Sequence, residues 1–473
     1  MPADSESWSV QATWVIPGDG RVMHNGVLRG RGGTIEAVGP AGEVAPAKNH
    51  RTLENAAILP GLVNAHAHLE LSHLRGLLPR RASMPRWLMN LLRHRGSDER
   101  QLHAVAAGAR EALATGTTAI ADVSHNNGAW RVLKDSPIRK LCLAEVLGMG
   151  PLEKGAMDRL ARSLEGLPPS DDRLKFGISP HAPYSTSEKV YREAVALARE
   201  RGWPVCTHLA ETKGERQFLM RGGGTFLRFL QTMRLVDPSF TPPACKPLEF
   251  ARRVGLLGWH GDPPRRICRH AVDASKRGHS TFPSQAEILQ NDQTESVRKH
   301  SAAHSAGKVE SPLLLAHVNY LDDEEMEILA AGGASVVYCP GSSAFFGRSG
   351  HRYADMLAAG VNVAIGTDSL ASNDSLDMLA EMRRLKRQGR VDNHTILRMA
   401  TLNGAIAMGW QDKIGSLEPG KAADWIAVET VSRDSGFGIR EDALETILTI
   451  SCKVVETVIG GQVVHSLTKG SIW

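Results

Sequence analysis

The chain lacks most of the features that would place it outside the soluble enzymes. Its 473 residues carry a formal charge of only +5. So weak a balance gives no general case for nucleic acid or an anionic membrane as partner. The N-terminal run Met1-Pro2-Ala3-Asp4-Ser5-Glu6-Ser7 is polar and acidic, without the basic region and apolar core of a signal peptide. No apolar run is long enough to span a bilayer. None of the six cysteines forms a Cys-x-x-Cys pair, and Cys142, Cys206 and Cys339 fall inside apolar runs. Buried free thiols, and hence a reducing cytoplasm, are the expectation. No repeat of solenoid length occurs.

What is present is an alternation of short apolar runs with amphipathic segments. The runs predict eight strands: 62–66, 117–123, 141–146, 175–179, 205–209, 313–317, 335–339 and 361–367. Val, Ile, Leu and Ala crowd them without strict alternation, as in parallel strands buried on both faces. The pattern predicts an α/β fold, a (β/α)8 TIM barrel over residues 59–411. Residues 1–58 and 412–473 hold strand-like runs split by Gly and Pro, with Gly460-Gly461 as a hairpin signal. They are expected to form a small β-sandwich from both termini. Residues 262–310 are basic, polar and poorly periodic, and read as a surface insertion between strands five and six.

Chemistry-bearing residues stand at the C-terminal ends of four of these strands. They are His66 and His68, His208, His317 and Asp368. Barrels of this kind place their reactive groups there. His66 and His68 lie two apart on an extended chain and so point to the same side. Imidazole and carboxylate suit one divalent metal, Zn or Fe. Three residues after His208, Glu211 is placed for acid/base work on a bound water, or as a helix-start carboxylate. His317 is either a further ligand or a neutral imidazole that stabilises developing charge, and Asp368 can ligate and accept a proton.

The stretch Pro60-Gly61-Leu62-Val63-Asn64-Ala65-His66-Ala67-His68, with His208-Leu209-Ala210-Glu211, His317 and Gly366-Thr367-Asp368-Ser369, resembles the amidohydrolase superfamily. The closing segment Gly415 to Asp424 is similar to that superfamily's return into its β-domain. Within it, the chain resembles the mononuclear branch of nucleobase and nucleoside deaminases and triazine chlorohydrolases. That likeness implies His66, His68, His208 and Asp368 as metal ligands, Glu211 as proton shuttle and His317 at the water or substrate. The dinuclear branch carries a carboxylated lysine at the end of strand four, where this chain has Ser179-Pro180-His181.

The resemblance also implies hydrolysis at a ring carbon with loss of ammonia. His181 is similar to a substrate-contacting histidine of adenosine-type deaminases. Leu74-Arg75-Gly76 resembles S-adenosylhomocysteine and methylthioadenosine deaminases, with Glu70 and His73 of open role. Asn373 resembles a position in aminodeoxyfutalosine deaminase, whose substrate bears an aryl carboxylate. Arg75, Arg80, Arg81, Arg86 and Arg93 are then candidate carboxylate partners, and Trp87, Phe345 and Phe346 candidate stacking residues. The expected partner is a small adenine-bearing nucleoside derivative; the resemblance allows a homodimer, and the sequence itself is silent on assembly. The alternatives are a triazine-type chlorohydrolase, a guanine- or cytosine-deaminase-like enzyme, and a non-catalytic barrel scaffold.

Overall fold

The computed structural model describes residues 6–237, 240–258, 311–430, 443–467 and 470–471. The basic stretch 262–310 lies outside the described residues. The first four strands are β1 (Ser7–Val15), β2 (Met23–Arg31), β3 (Thr34–Pro40) and β4 (Asn49–Pro60). Eight parallel strands follow: β5 (Leu62–Ala67), β6 (Thr117–His125), β7 (Arg139–Val146), β8 (Leu174–Pro180), β9 (Val205–Leu209), β10 (Leu313–His317), β11 (Ser335–Tyr338) and β12 (Val363–Ile365). The chain ends on β13 (Trp425–Glu429), β14 (Val454–Ile459), β15 (Gln462–Ser466) and β16 (Gly470–Ser471).

Strands β5 to β12 pair in sequence order. Every residue of β5, β9 and β11 is buried, which explains why apolar residues dominate them without strict alternation. Helices cover the outside. The helix Glu188–Arg201 is typical: Ser187 caps it by accepting from Val190 N, and Gly202 ends it at φ 64°. Its buried face is Val190, Tyr191, Ala194, Val195 and Ala198. The helix Asp98–Ala114 buries Val105, Ala109 and Leu113, while Leu102 and Ala106 are only half-buried.

The ring closes between β12 and β5 through a side chain. Asn64 Oδ1 accepts from Thr367 N (3.1 Å) and its Nδ2 donates to Thr367 Oγ1 (2.8 Å). The amide side chain supplements a backbone bridge between Ala67 and Asp368 at this seam. Gly366 permits the approach. A Cβ there would lie 2.7 Å from His66 O.

Both termini build one eight-stranded sheet, in the order β16-β15-β14-β13-β4-β1-β2-β3. Strand β13 enters between β14 and β4, pairing Trp425 with Pro60 and Val428 with Ala57. Gly460 and Gly461, at φ 57° and 74°, turn β14 into β15 as the hairpin signal predicts. The sheet curls over Val10, Val15, Leu28, Ile58, Trp425 and Val458, bringing Gly33 against Gly460. Strand β4 runs through the expected junction at 58/59 and ends at Pro60.

Sheet and barrel are joined by a buried ion pair. Arg139 Nε and Nη2 donate to Asp424 Oδ2 and Oδ1 at 2.6 and 3.1 Å, and Gly460 N also donates to Oδ1. The side chains are 6% and 2% exposed. Deleting one partner strands the other charge away from water. Asp424→Ala is therefore expected to lower unfolding free energy by about 3–5 kcal/mol. The urea midpoint of the purified variant measures it; a loss below about 1 kcal/mol, the value of an exposed pair, would contradict this account.

Candidate active site

The strand ends converge. His66 Nε2 and His208 Nε2 each lie 3.2 Å from His68 Nε2. His208 Nδ1 is 2.9 Å from His181 O, and a carbonyl only accepts, so Nδ1 carries the proton. His208 Nε2 is thereby left with its lone pair facing the other rings. Asp368 is oriented in the same manner. Its Oδ2 accepts from Ser342 Oγ and Ser372 Oγ, both at 2.7 Å. Its Oδ1 is turned inward, 3.8 Å from His68 Nε2 and 4.0 Å from His66 Nε2. The peptide of Asp368 is tied to the first strand by its N–H to His66 O (3.0 Å).

Electrostatics completes the donor set. Burial, reinforced by the crowding of the rings, pushes His66 well below the usual histidine range and lowers His68 too. Burial alone would raise Asp368, but His317, His68, His66 and the Ser342 hydroxyl outweigh it and hold the carboxyl far below its ordinary range. His66 and His68 are thus held as neutral imidazoles beside one carboxylate. A single proton on His68 Nε2 cannot satisfy both neighbouring nitrogens. Zn–N bonds of about 2.1 Å would span tetrahedral edges of about 3.4 Å, close to the separations present. The residues fit one divalent cation.

Glu211 stands beside this cluster, almost fully buried. Its Oε1 accepts from Arg348 Nη1 (3.1 Å) and lies 3.8 Å from His317 Nε2. Burial would raise Glu211, but His317 and Arg348 prevail and lower it. His317 is pushed down to about 4, chiefly by burial. Its Nδ1 has no hydrogen-bond partner among the described residues. Ala210, His317, Val318 and Asp368 all adopt positive φ, between 47° and 73°, without being glycine. Such conformations persist where surrounding structure over-determines them.

A cleft opens over these groups. Its apolar wall is the helix Met84–His94, presenting Met84, Trp87, Leu88 and Leu91 at helical spacing, with Phe346 edge-on to Trp87 at 5.5 Å. Its polar wall holds Glu70, Arg95, Glu145 and His181. Burial raises Glu70 to about 7, against the opposing pull of Arg95, whose Nη2 is 3.2 Å from Glu70 Oε1. His181 falls to about 4 through burial, with Glu145 3.9 Å away.

The structure brings His66, His68, His208, Asp368, Glu211, His317, His181, Glu70 and Trp87 to this cleft. Three expected substrate residues lie elsewhere. Arg75 pairs with Glu111 on the outer surface, because the turn after Leu74 directs it away. Phe345 packs into the apolar cluster behind the cleft, its ring under the Arg80 guanidinium. Asn373 is consumed inside the protein, donating to Thr367 O (2.8 Å) and Glu381 Oε1 (3.0 Å). Arg81, Arg86 and Arg93 are exposed, the last two on a helix face turned away from Trp87. Sequence reasoning missed Arg348, Glu145, Arg95, Ser342 and Ser372. Arg95 closes the same arginine-rich segment and was the one with a findable signal, since it directly follows the apolar stripe.

Residues 57–464 match the Amidohydrolase family. A 5-methylthioadenosine/S-adenosylhomocysteine deaminase of Nitratidesulfovibrio vulgaris is 29% identical over 437 residues, covering 88% of this chain and 82% of the relative. An adenosine deaminase from Xanthomonas campestris with bound zinc superposes with a TM-score of 0.72 at 24% identity, over 100% of this chain and 96% of that one. The Helicobacter pylori aminofutalosine deaminase in complex with methylthio-coformycin superposes with a TM-score of 0.75 at 21% identity, over 97% and 100%.

Proposed function

The chain belongs to the amidohydrolase family, and from that premise we propose that it is a metal-dependent aminohydrolase that releases ammonia from an adenine-bearing nucleoside. His66, His68, His208 and the free oxygen of Asp368 are the residues that would hold one zinc or iron ion. Bound there, such an ion supplies a Lewis acid that brings the pKa of water toward neutrality. Asp368 receives a proton from the attacking water. Glu211, ionised at rest, takes the other proton of that water and passes it to the adjacent ring nitrogen, and the proton held by Asp368 is delivered to the departing amine, so that water and the amino compound become a carbonyl and ammonia. His317 stabilises charge that develops at the attacked carbon's oxygen. His181 meets the polar edge of the purine, while Trp87 and Phe346 offer faces against which an aromatic ring can pack. Residues 59–411 carry this chemistry in the proposal, and residues 1–58 and 412–473 form the companion domain.

The observation that carries the reading is the convergence of three imidazole nitrogens and one unengaged carboxylate oxygen beside Glu211. The deaminases among its relatives support the choice of an adenine nucleoside. The metal-loaded protein is to be incubated separately with aminodeoxyfutalosine, adenosine, methylthioadenosine, S-adenosylhomocysteine, guanine and cytosine. Ammonia is expected from at least one adenosine derivative and from neither free base. No ammonia from any purine nucleoside, or chloride release from a chlorotriazine alone, would overturn the proposal.

A further inference from the structure

Glu215 is fully buried and does not line the cleft, yet it grips the shuttle's backbone. Its Oε1 accepts from Ala210 N and its Oε2 from Glu211 N, both at 2.8 Å. It is the third residue of the helix Lys213–Arg221, whose cap Thr212 accepts from Glu215 N at 2.9 Å. A glutamate at this position ordinarily returns the bond to the cap's own N–H. The following barrel unit does so: Asp322 accepts from Glu325 N, and Glu325 Oε2 accepts from Asp322 N at 3.1 Å. Glu215 instead reaches past the cap, to the two residues before it.

The carbonyl side of the same segment is also held. Asn319 Nδ2 donates to Glu211 O at 3.0 Å, and Tyr320 N donates to Ala210 O at 3.1 Å. Ala210, in between, sits at φ 50°. A chain in that conformation does not stay there without external restraint. We infer that Glu215, together with Asn319, is a positioning residue that fixes Glu211 in its catalytic orientation by clamping the peptides on either side of it. Helix capping alone explains neither bond, since both bypass the Thr212 N–H.

The inference rests on Glu211 being the proton shuttle, so the test separates the two claims. In Glu215→Gln the amide keeps one acceptor, and its NH2 faces a peptide N–H. Misplacement of a reacting group by about 1 Å costs roughly 100-fold in rate, and a kcat loss of that order is expected. Metal content should be unchanged and KM should stay within about threefold, since kcat alone reports an interaction used in the transition state. In a Glu211→Gln background the same change should cost less than about threefold, because groups that act as a unit are not additive. An equal loss in both backgrounds, or loss of metal from Glu215→Gln, overturns the inference. Full activity of Glu211→Gln by itself overturns the shuttle assignment instead. Should Glu215→Gln not fold, the cycle is run with Asn319→Ser, which releases the other side of the clamp, and the same outcomes decide.

Discussion

Glu211→Gln retains its metal and loses about 10²–10⁴-fold in kcat, the usual contribution of a positioned general acid/base. The amide matches the carboxylate in size, and its oxygen can still accept from Arg348, so the cleft keeps its shape. What disappears is a group able to take up and return a proton. Glu211 suits that work because His317 and Arg348 keep it ionised inside a site whose burial would otherwise protonate it. Metal analysis and steady-state kinetics on the same preparation measure both halves of the prediction. Undiminished turnover would remove Glu211 from the mechanism.

Asp368→Asn is expected to act on the other half, the ion itself. Two serine hydroxyls donate to Oδ2, so the asparagine oxygen turns toward them and its NH2 toward the imidazoles. A donor then points where a ligand is needed, and the carboxylate charge beside His66 and His68 is gone. Disturbing groups that merely orient ligands costs 10–100-fold in metal affinity. Replacing a ligand should cost at least about 100-fold, with activity lost in proportion. Dialysis against chelators of graded strength, followed by metal quantification, reads this directly. An asparagine variant that holds its ion as firmly as the parent would show that Asp368 is not a ligand.

The barrel was legible because its strands are buried on both faces and therefore spell unbroken apolar runs, as in Leu313 to Ala316. The histidines and Asp368 were legible because each closes such a run. The polar supports were not. Ser342 and Ser372 come from a helix and a turn, and nothing in their neighbours marks them as partners of a carboxylate. Arg348 reaches Glu211 from 137 positions along the chain. Asn373 shows the opposite failure. Its likeness to a position in aminodeoxyfutalosine deaminase suggested substrate, whereas its amide is spent on Thr367 and Glu381. The loop arginines misled for a simpler reason: one helix turns two of them outward while its apolar stripe faces the cleft. Side-chain direction within an element is set by packing partners that lie elsewhere in the sequence.

Strand β4 is flanked by β1, its early neighbour, and by β13, which leaves the ribosome only after the whole barrel has been made. At about 5–20 residues per second, the wait lasts tens of seconds. Throughout it, one side of β4 offers unpaired peptide groups next to the apolar run Ala56-Ala57-Ile58-Leu59. The nascent protein thus passes through a sticky stage that the finished one conceals. Its yield in a cell should depend on translation speed and chaperone supply more than the stability of the folded molecule would suggest.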